Sequence, residues 1–211
     1  MERFLADGPA HAPLTLVLAH GAGAPMDSSF MNAVAAGIAK EGFRVLRFVF
    51  PYMRARRDVG RKKPPDRGPV LEEAWRDAIR EAAGKKGAKA VVIGGKSMGG
   101  RIASMVADEA GVAGLVCLGY PFHPPGQPDK LRVAHLEKLE TRTLILQGER
   151  DAFGTREEVA RYSLSKKIRI LFLEDGDHSF KPRASSGRTE KQNLDEAVAL
   201  VSEFLGSLRS A

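Results

Sequence analysis

The sequence predicts a doubly wound α/β fold: a mostly parallel sheet of about six strands with helices on both faces. Short apolar runs alternate along the chain with stretches of helical periodicity. The runs are nearly continuous in apolar residues, as strands covered on both faces must be, rather than alternating apolar and polar. The residues able to do chemistry fall just after the runs, at the strand ends where open parallel sheets bind ligands.

Each element has its own signal. Residues 14–19 (LTLVLA) and 43–50 (FRVLRFVF) read as strands, and between them 28–40 places Phe30, Val34 and Ile38 on one helical stripe. Residues 70–83 put Leu71, Trp75, Ile79 and Ala82 on one face, so a second helix leads into the β-branched strand 90–93. A helix over 97–109 and a strand over 112–119 follow. The remaining elements are a strand at 143–147, a helix at 155–163, a strand at 168–173 and an amphipathic helix at 193–208. No repeat or linker interrupts the series, so the expectation is one domain spanning residues 1–211.

Composition narrows the function classes. With 43% hydrophobic and 28% charged residues the chain can bury a core, and no run of about eighteen apolar residues could span a bilayer. The start, MERFLADGPAHAP, lacks the basic and long apolar regions of a secretory signal, and the single Cys117 sits in an apolar run. The expected address is the cytoplasm. The net charge of +7 is concentrated: residues 54–67 hold Arg54, Arg56, Arg57, Arg61, Lys62, Lys63 and Arg67 against Asp58 and Asp66. Such a run is either a solvated loop or an attractor of anions. Without interleaved aromatic residues it is a poor nucleic-acid surface, so nucleic acid ranks last among partners.

The strongest chemical signal is Gly95-Lys96-Ser97-Met98-Gly99, placed between the strand 90–93 and a helical pattern. In G-x-S-x-G at such a junction, the serine sits on a sharp turn that lifts its hydroxyl out of the sheet, and the glycines let neighbouring backbone pass. Residues 90–97 also fit a loosened phosphate-loop pattern. There, however, the intervening residues are β-branched strand, leaving too little backbone to wrap a phosphate.

A serine hydroxyl needs a base to become a nucleophile, and histidine titrates in the right range. In α/β sheets carrying this turn, the order along the chain is Ser, acid, His. His178, a short turn after the strand 168–173, fits it. Asp151 follows the strand 143–147 and is the expected acid, with Glu149, Asp175 and Asp177 as competitors. The oxyanion of a tetrahedral intermediate needs amide donors, and the N–H groups of Met98 and Ala22 stand where they are expected. His20 is expected to brace the loop 20–24.

With HGAGA, GKSMGG, GERD and GDHSF in order, residues 14–208 resemble the α/β-hydrolase superfamily. LRFVFPYMRARR, GGKSMGGR and LGYPFHPPGQPDKLR look more narrowly like a compact dienelactone-hydrolase-like subfamily, related to the hydrolase-like domain of a chromatin-complex subunit. Dienelactone hydrolases use a cysteine where this chain has Ser97, so the resemblance implies fold and triad but not substrate. About twenty residues separate Gly119 from Thr143, too few for a cap domain.

The expected activity is hydrolysis of a small ester, thioester or lactone through acyl-Ser97, with no metal or organic cofactor. Transfer to an acceptor other than water would look the same in sequence. Arg56, Arg57, Lys62 and His123 are the expected substrate-binding residues. The basic loop together with Lys181, Arg183 and Arg188 leads to the expectation that the substrate carries a negative group. The competing reading is a catalytically silent scaffold of the same fold.

Overall fold

The computed structural model describes residues 4–60, 63–84, 87 and 90–209, with backbone only for 57–59. Among these residues seven strands form one sheet in the order β1-β3-β2-β4-β5-β6-β7. They are β1 (Phe4–Asp7), β2 (Thr15–Ala19), β3 (Arg44–Phe48), β4 (Val91–Lys96), β5 (Gly114–Leu118), β6 (Thr143–Gly148) and β7 (Ile168–Leu173). All pairings are parallel except β1 with β3. The doubly wound class predicted from the sequence is thus the fold, with one strand more than the six that were read.

The extra strand is β1. Its four residues, half-buried at the sheet edge, carry too short a pattern to read, yet Asp7 pairs with the buried Arg47 of β3 at 2.9 Å.

Among the described residues six α-helices complete the layers: α1 (Ser29–Lys40), α2 (Pro51–Val59), α3 (Gly68–Ala83), α4 (Met98–Ala110), α5 (Arg156–Val159) and α6 (Glu190–Arg209). On one face, Leu16 and Leu18 of β2 pack with Met31, Val34 and Ile38 of α1 and Val201 and Leu205 of α6. On the other, Val17 and Ala19 pack with Leu71, Trp75 and Ile79 of α3 and Ile102 and Val106 of α4. Successive residues of β2 thus feed two cores, which is why the run is continuously apolar. Each fully buried Leu, Val or Ile here adds about 1.5–3 kcal/mol.

Two helices depart from the reading. The basic segment, expected as a loop, starts as α2: Pro51 at the first helical turn presets φ, and Gly60 closes the helix in the left-handed region at φ 66°. The helix expected over 155–163 opens with a Thr155–Glu158 capping box but stops at Val159. Beyond it, Arg161 and Tyr162 bond three residues back, to Glu158 and Val159, which tightens the chain instead of continuing the α-helix. Among the described residues no helix is long and apolar enough to cross a membrane.

The chain runs from β2 outward to β3, then returns to place β4 on the other side of β2. Crossovers leave in opposite directions there, opening a crevice at the carboxyl ends of β2 and β4. His20-Gly21 and Ser97 follow those two ends.

Candidate active site

Ser97 lies between the end of β4 and the start of α4 with φ 52° and ψ −119°. A non-glycine residue there is strained by about 1–3 kcal/mol and needs its surroundings to hold it. The Ser97 N–H donates to Leu118 O of β5 at 3.0 Å, and the Ser97 carbonyl accepts from Arg101 in the first turn of α4. A Cβ on Gly95 would stand 2.2 Å from Ala19 O. Strand β4 and the start of α4 can therefore lie against β2 only because side chains are missing, as the motif predicts.

His178 follows β7 in a tight loop bracketed by two strained residues, Asp175 (φ 49°) and Phe180 (φ 68°). Within the loop, the Asp177 carboxylate accepts from the N–H groups of Ser179 at 2.7 Å and Lys181 at 3.0 Å. The Phe153 ring stacks on the imidazole, 4.2 Å between centroids. So held, His178 places Nε2 2.9 Å from Ser97 Oγ and Nδ1 2.7 Å from Asp151 Oδ2.

The Asp151 side chain is completely buried, and donors converge on it from its own loop and from β6. Its Oδ1 accepts from the Phe153 N–H at 2.9 Å, and Oδ2 accepts from Gln147 Nε2 at 2.9 Å. Gln147 is itself fixed on Tyr120 N and O and on Gly154 O. A carboxylate in that position makes Nδ1 the protonated nitrogen of a neutral imidazole and leaves Nε2 as acceptor.

The competing acids are committed elsewhere. Asp175 pairs with Arg183 and Arg150, and hydrogen bonds from Arg183 hold its carboxyl down at about 2. The Asp175 N–H together with Arg156 keeps Glu149 below the usual carboxylate range. A second serine–imidazole contact, 2.8 Å, joins Nε2 of His135, in the segment before β6, to Ser104 Oγ of α4. Ser104 is buried there and donates its proton to Arg101 O at 2.6 Å, as a helix-bonded serine does.

Met98 opens α4 directly after Ser97, and the loop that carries Ala22 runs beside the serine, where a Cβ on Gly21 would stand 3.6 Å from Ser97 Cβ. His20 accepts the Phe50 N–H at Nε2 (3.1 Å) and meets Gly21 O through Nδ1 (2.7 Å), so it braces the loop as expected. Sequence reading missed Tyr52, whose hydroxyl donates to Ala22 O at 3.0 Å and lies 3.3 Å from Gly21 O. Burial pushes that phenol up to about 12, so it stays a donor across the working range. The signal was available in Pro51-Tyr52 at a strand end, but it reads as part of a loop until α2 is known. Gln147, the one polar side chain in LILQ, was also missed.

The expected substrate-binding residues fare differently. Arg56 comes to the site: its guanidinium lies over the Tyr52 ring and 3.5 Å from Ala22 O. The Arg57 side chain and Lys62 fall outside the described residues. His123 is 2% exposed, with Nδ1 against Pro124 O and Nε2 3.4 Å from Glu158. It is packed behind the Asp151 loop and shows no polar edge to the crevice. Arg183 and Arg188 do not line a basic cleft either, because Asp175, Glu174 and Glu196 pair with them.

A doubly wound sheet with Ser97, His178 and Asp151 hydrogen-bonded in series at its switch point narrows the class. The chain belongs to the α/β-hydrolase family: the model of the alpha/beta hydrolase domain matches residues 12–206. Among solved structures, an alpha-beta serine hydrolase homologue from Coxiella burnetii superposes with a TM-score of 0.71 at 19% identity, covering 96% of this chain and 90% of that one. Est1E from Butyrivibrio proteoclasticus gives 0.72 at 15% identity, covering 99% and 94%. A dienelactone hydrolase from Anabaena variabilis gives 0.69 at 21%, covering 95% and 88%. At these identities the likeness concerns the fold.

Proposed function

We propose that the chain is a serine hydrolase that cleaves a small ester, thioester or lactone through an acyl-Ser97 intermediate. The observation that carries this reading is the unbroken relay from Ser97 Oγ through the two nitrogens of His178 to Asp151, at 2.9 and 2.7 Å. Ser97 Oγ attacks the carbonyl carbon while His178 Nε2 takes its proton. The oxyanion is received by the N–H groups of Met98 and Ala22. Each such donor is worth about 3 kcal/mol in the transition state. Collapse breaks the bond to the leaving oxygen or sulfur, which takes the proton from Nε2; in a lactone it stays attached to the acyl group. Water then repeats the sequence, with His178 as base, and frees Ser97. Asp151 fixes the tautomer and stabilises the imidazolium.

The test is covalent labelling with a fluorophosphonate and mapping of the adduct. Label is expected on Ser97, lost in Ser97→Ala and His178→Ala and kept in Ser104→Ala. Folded protein that takes no label would favour a catalytically silent scaffold instead.

Arg56 also supports an anionic substrate, since it brings a guanidinium to the rim of the oxyanion loop. Replacing Arg56 by glutamine should raise KM for an ester bearing a carboxylate about 5- to 10-fold, the worth of one partly exposed charge contact. A neutral ester should be nearly unaffected. An unchanged ratio of kcat/KM for the two esters would remove Arg56 from substrate recognition.

A further inference from the structure

The residue before the nucleophile is a lysine, and its position is unusual for a charged side chain. Lys96 is 9% exposed, and its Nζ has no hydrogen-bond acceptor among the described residues. The stem leaves β4 beside the oxyanion loop, with Cγ 3.8 Å from where a Gly21 Cβ would be. The ammonium lies over the Phe30 ring of α1, 5.6 Å from its centroid. An atom at the missing Cβ of Gly119 would be 3.0 Å from Lys96 Nζ, 3.3 Å from His178 Nδ1 and 2.9 Å from His178 O. The ammonium and the imidazole therefore share one small space at the end of β5, kept open by a glycine.

We propose that Lys96 is a positioning residue of the hydrolytic site, whose buried ammonium opposes a second proton on His178 and keeps the imidazole ready to accept from Ser97 in mildly acidic conditions. The inference rests on the serine-hydrolase reading above. Like charges in a shared, poorly solvated space disfavour one another. The charged groups that act on the ammonium are Asp151 after β6 and Asp177 after β7; His178 after β7 borders the same space, and α1 brings the Phe30 ring against it. Asp151 favours the imidazolium and Lys96 opposes it, in the resting site and during attack alike, so the balance of the two charges sets how readily His178 holds a second proton.

An ammonium buried without an acceptor is a liability to the fold. Burial pushes Lys96 down from 10.5 to about 8, with Asp151 and Asp177 partly opposing the fall. A base depressed in the folded state binds fewer protons there than when unfolded. Between about pH 8 and 10.5, stability owed to this residue therefore rises with pH, and the cost is fully present below about 8.

The experiment is the pH dependence of the fluorophosphonate labelling rate at Ser97, from pH 5 to 10, for wild type, Lys96→Met and Lys96→Gln. Thermal unfolding is measured over the same range. In the neutral variants the acid limb should move to higher pH by roughly half to one unit, slowing labelling about 3- to 10-fold at the acidic end. The difference should fade above about pH 8, where the wild-type ammonium is itself lost. Lys96→Met should melt above wild type at pH 7, by a margin that shrinks toward pH 10.5. Superimposable normalised profiles would overturn the proposal. So would a uniform slowing at every pH, or failure of both neutral variants to fold, since each makes Lys96 structural. A wild type that takes no label at all would instead remove the serine-hydrolase reading on which the proposal rests.

Discussion

Replacing Asp151 by asparagine is expected to lower kcat about 10⁴-fold while leaving the fold and KM nearly intact. The size of the loss comes from a tautomer rather than from a missing contact. In the native site both oxygens of Asp151 accept: Oδ1 from the Phe153 N–H, and Oδ2 from Gln147 Nε2 and His178 Nδ1–H. An asparagine must turn its oxygen toward one of these oxygen sites and its amide toward the other. With the oxygen kept on the Phe153 N–H, the amide faces Gln147 Nε2 and His178 Nδ1, two groups that were donating. The imidazole then has to accept at Nδ1 and carry its proton on Nε2, pointing at Ser97 Oγ. A protonated Nε2 cannot take the serine proton.

The check is kcat and KM on a neutral ester for Asp151→Asn, together with its melting temperature. A loss below about tenfold would mean that Asp151 does not set the tautomer. Glu149 and Asp175 could not take over, because Arg156, Arg150 and Arg183 already hold them in ion pairs.

That Ser97, Asp151 and His178 come within hydrogen-bond reach of one another was legible because the fold constrains such residues through order. A serine at a strand–helix junction, an aspartate after the next strand but one and a histidine after the last strand can be placed from the G-x-S-x-G turn and the order of the strands along the chain. The parallel sheet then brings the strand ends together. Charge was far less legible. The basic run 54–67 reads as one segment, but local chemistry divides it: Pro51 starts α2 and Gly60 ends it, and of the expected residues only Arg56 is seen to turn toward Ala22. Arg183 and Arg188 follow a strand end as expected, yet acids that are distant or close in sequence neutralise them, a pairing that no spacing rule shows. Lys96 was hidden for the opposite reason. In sequence it is a surface-type residue inside a familiar pentapeptide, and only the packing of Phe30 and Gly119 shows it to be buried. His123 failed in the same way, since an exposed-looking Phe-His-Pro-Pro turn is folded under the loop of Asp151.

Gly99→Ala is expected to lower both stability and turnover, because Gly99 lets the elements carrying the two proposed oxyanion donors approach each other. A Cβ at this position would meet Ala19 O at 2.5 Å and His20 O at 2.7 Å, both backbone atoms that no rotamer change can move. Relief requires the start of α4 to withdraw from the end of β2. That start carries Met98 N, and the end of β2 leads into the loop carrying Ala22 N, so withdrawal separates the proposed donors. Trp75 Nε1, which donates to Gly99 O at 3.2 Å, resists the shift from the α3 side. Overpacking of this kind costs about 1–3 kcal/mol of stability, and loss of one well-placed donor costs about 10²- to 10³-fold in kcat. Gly206→Ala is the contrast: it lies in α6 with nothing within 4 Å of its Cβ, and should raise stability by about 0.5–1 kcal/mol with turnover unchanged. Denaturant midpoints and kcat for the two variants separate the cases. If Gly99→Ala loses stability but keeps its kcat, the close approach of α4 to β2 serves packing alone, and the donors must be sought at amides other than Met98 and Ala22.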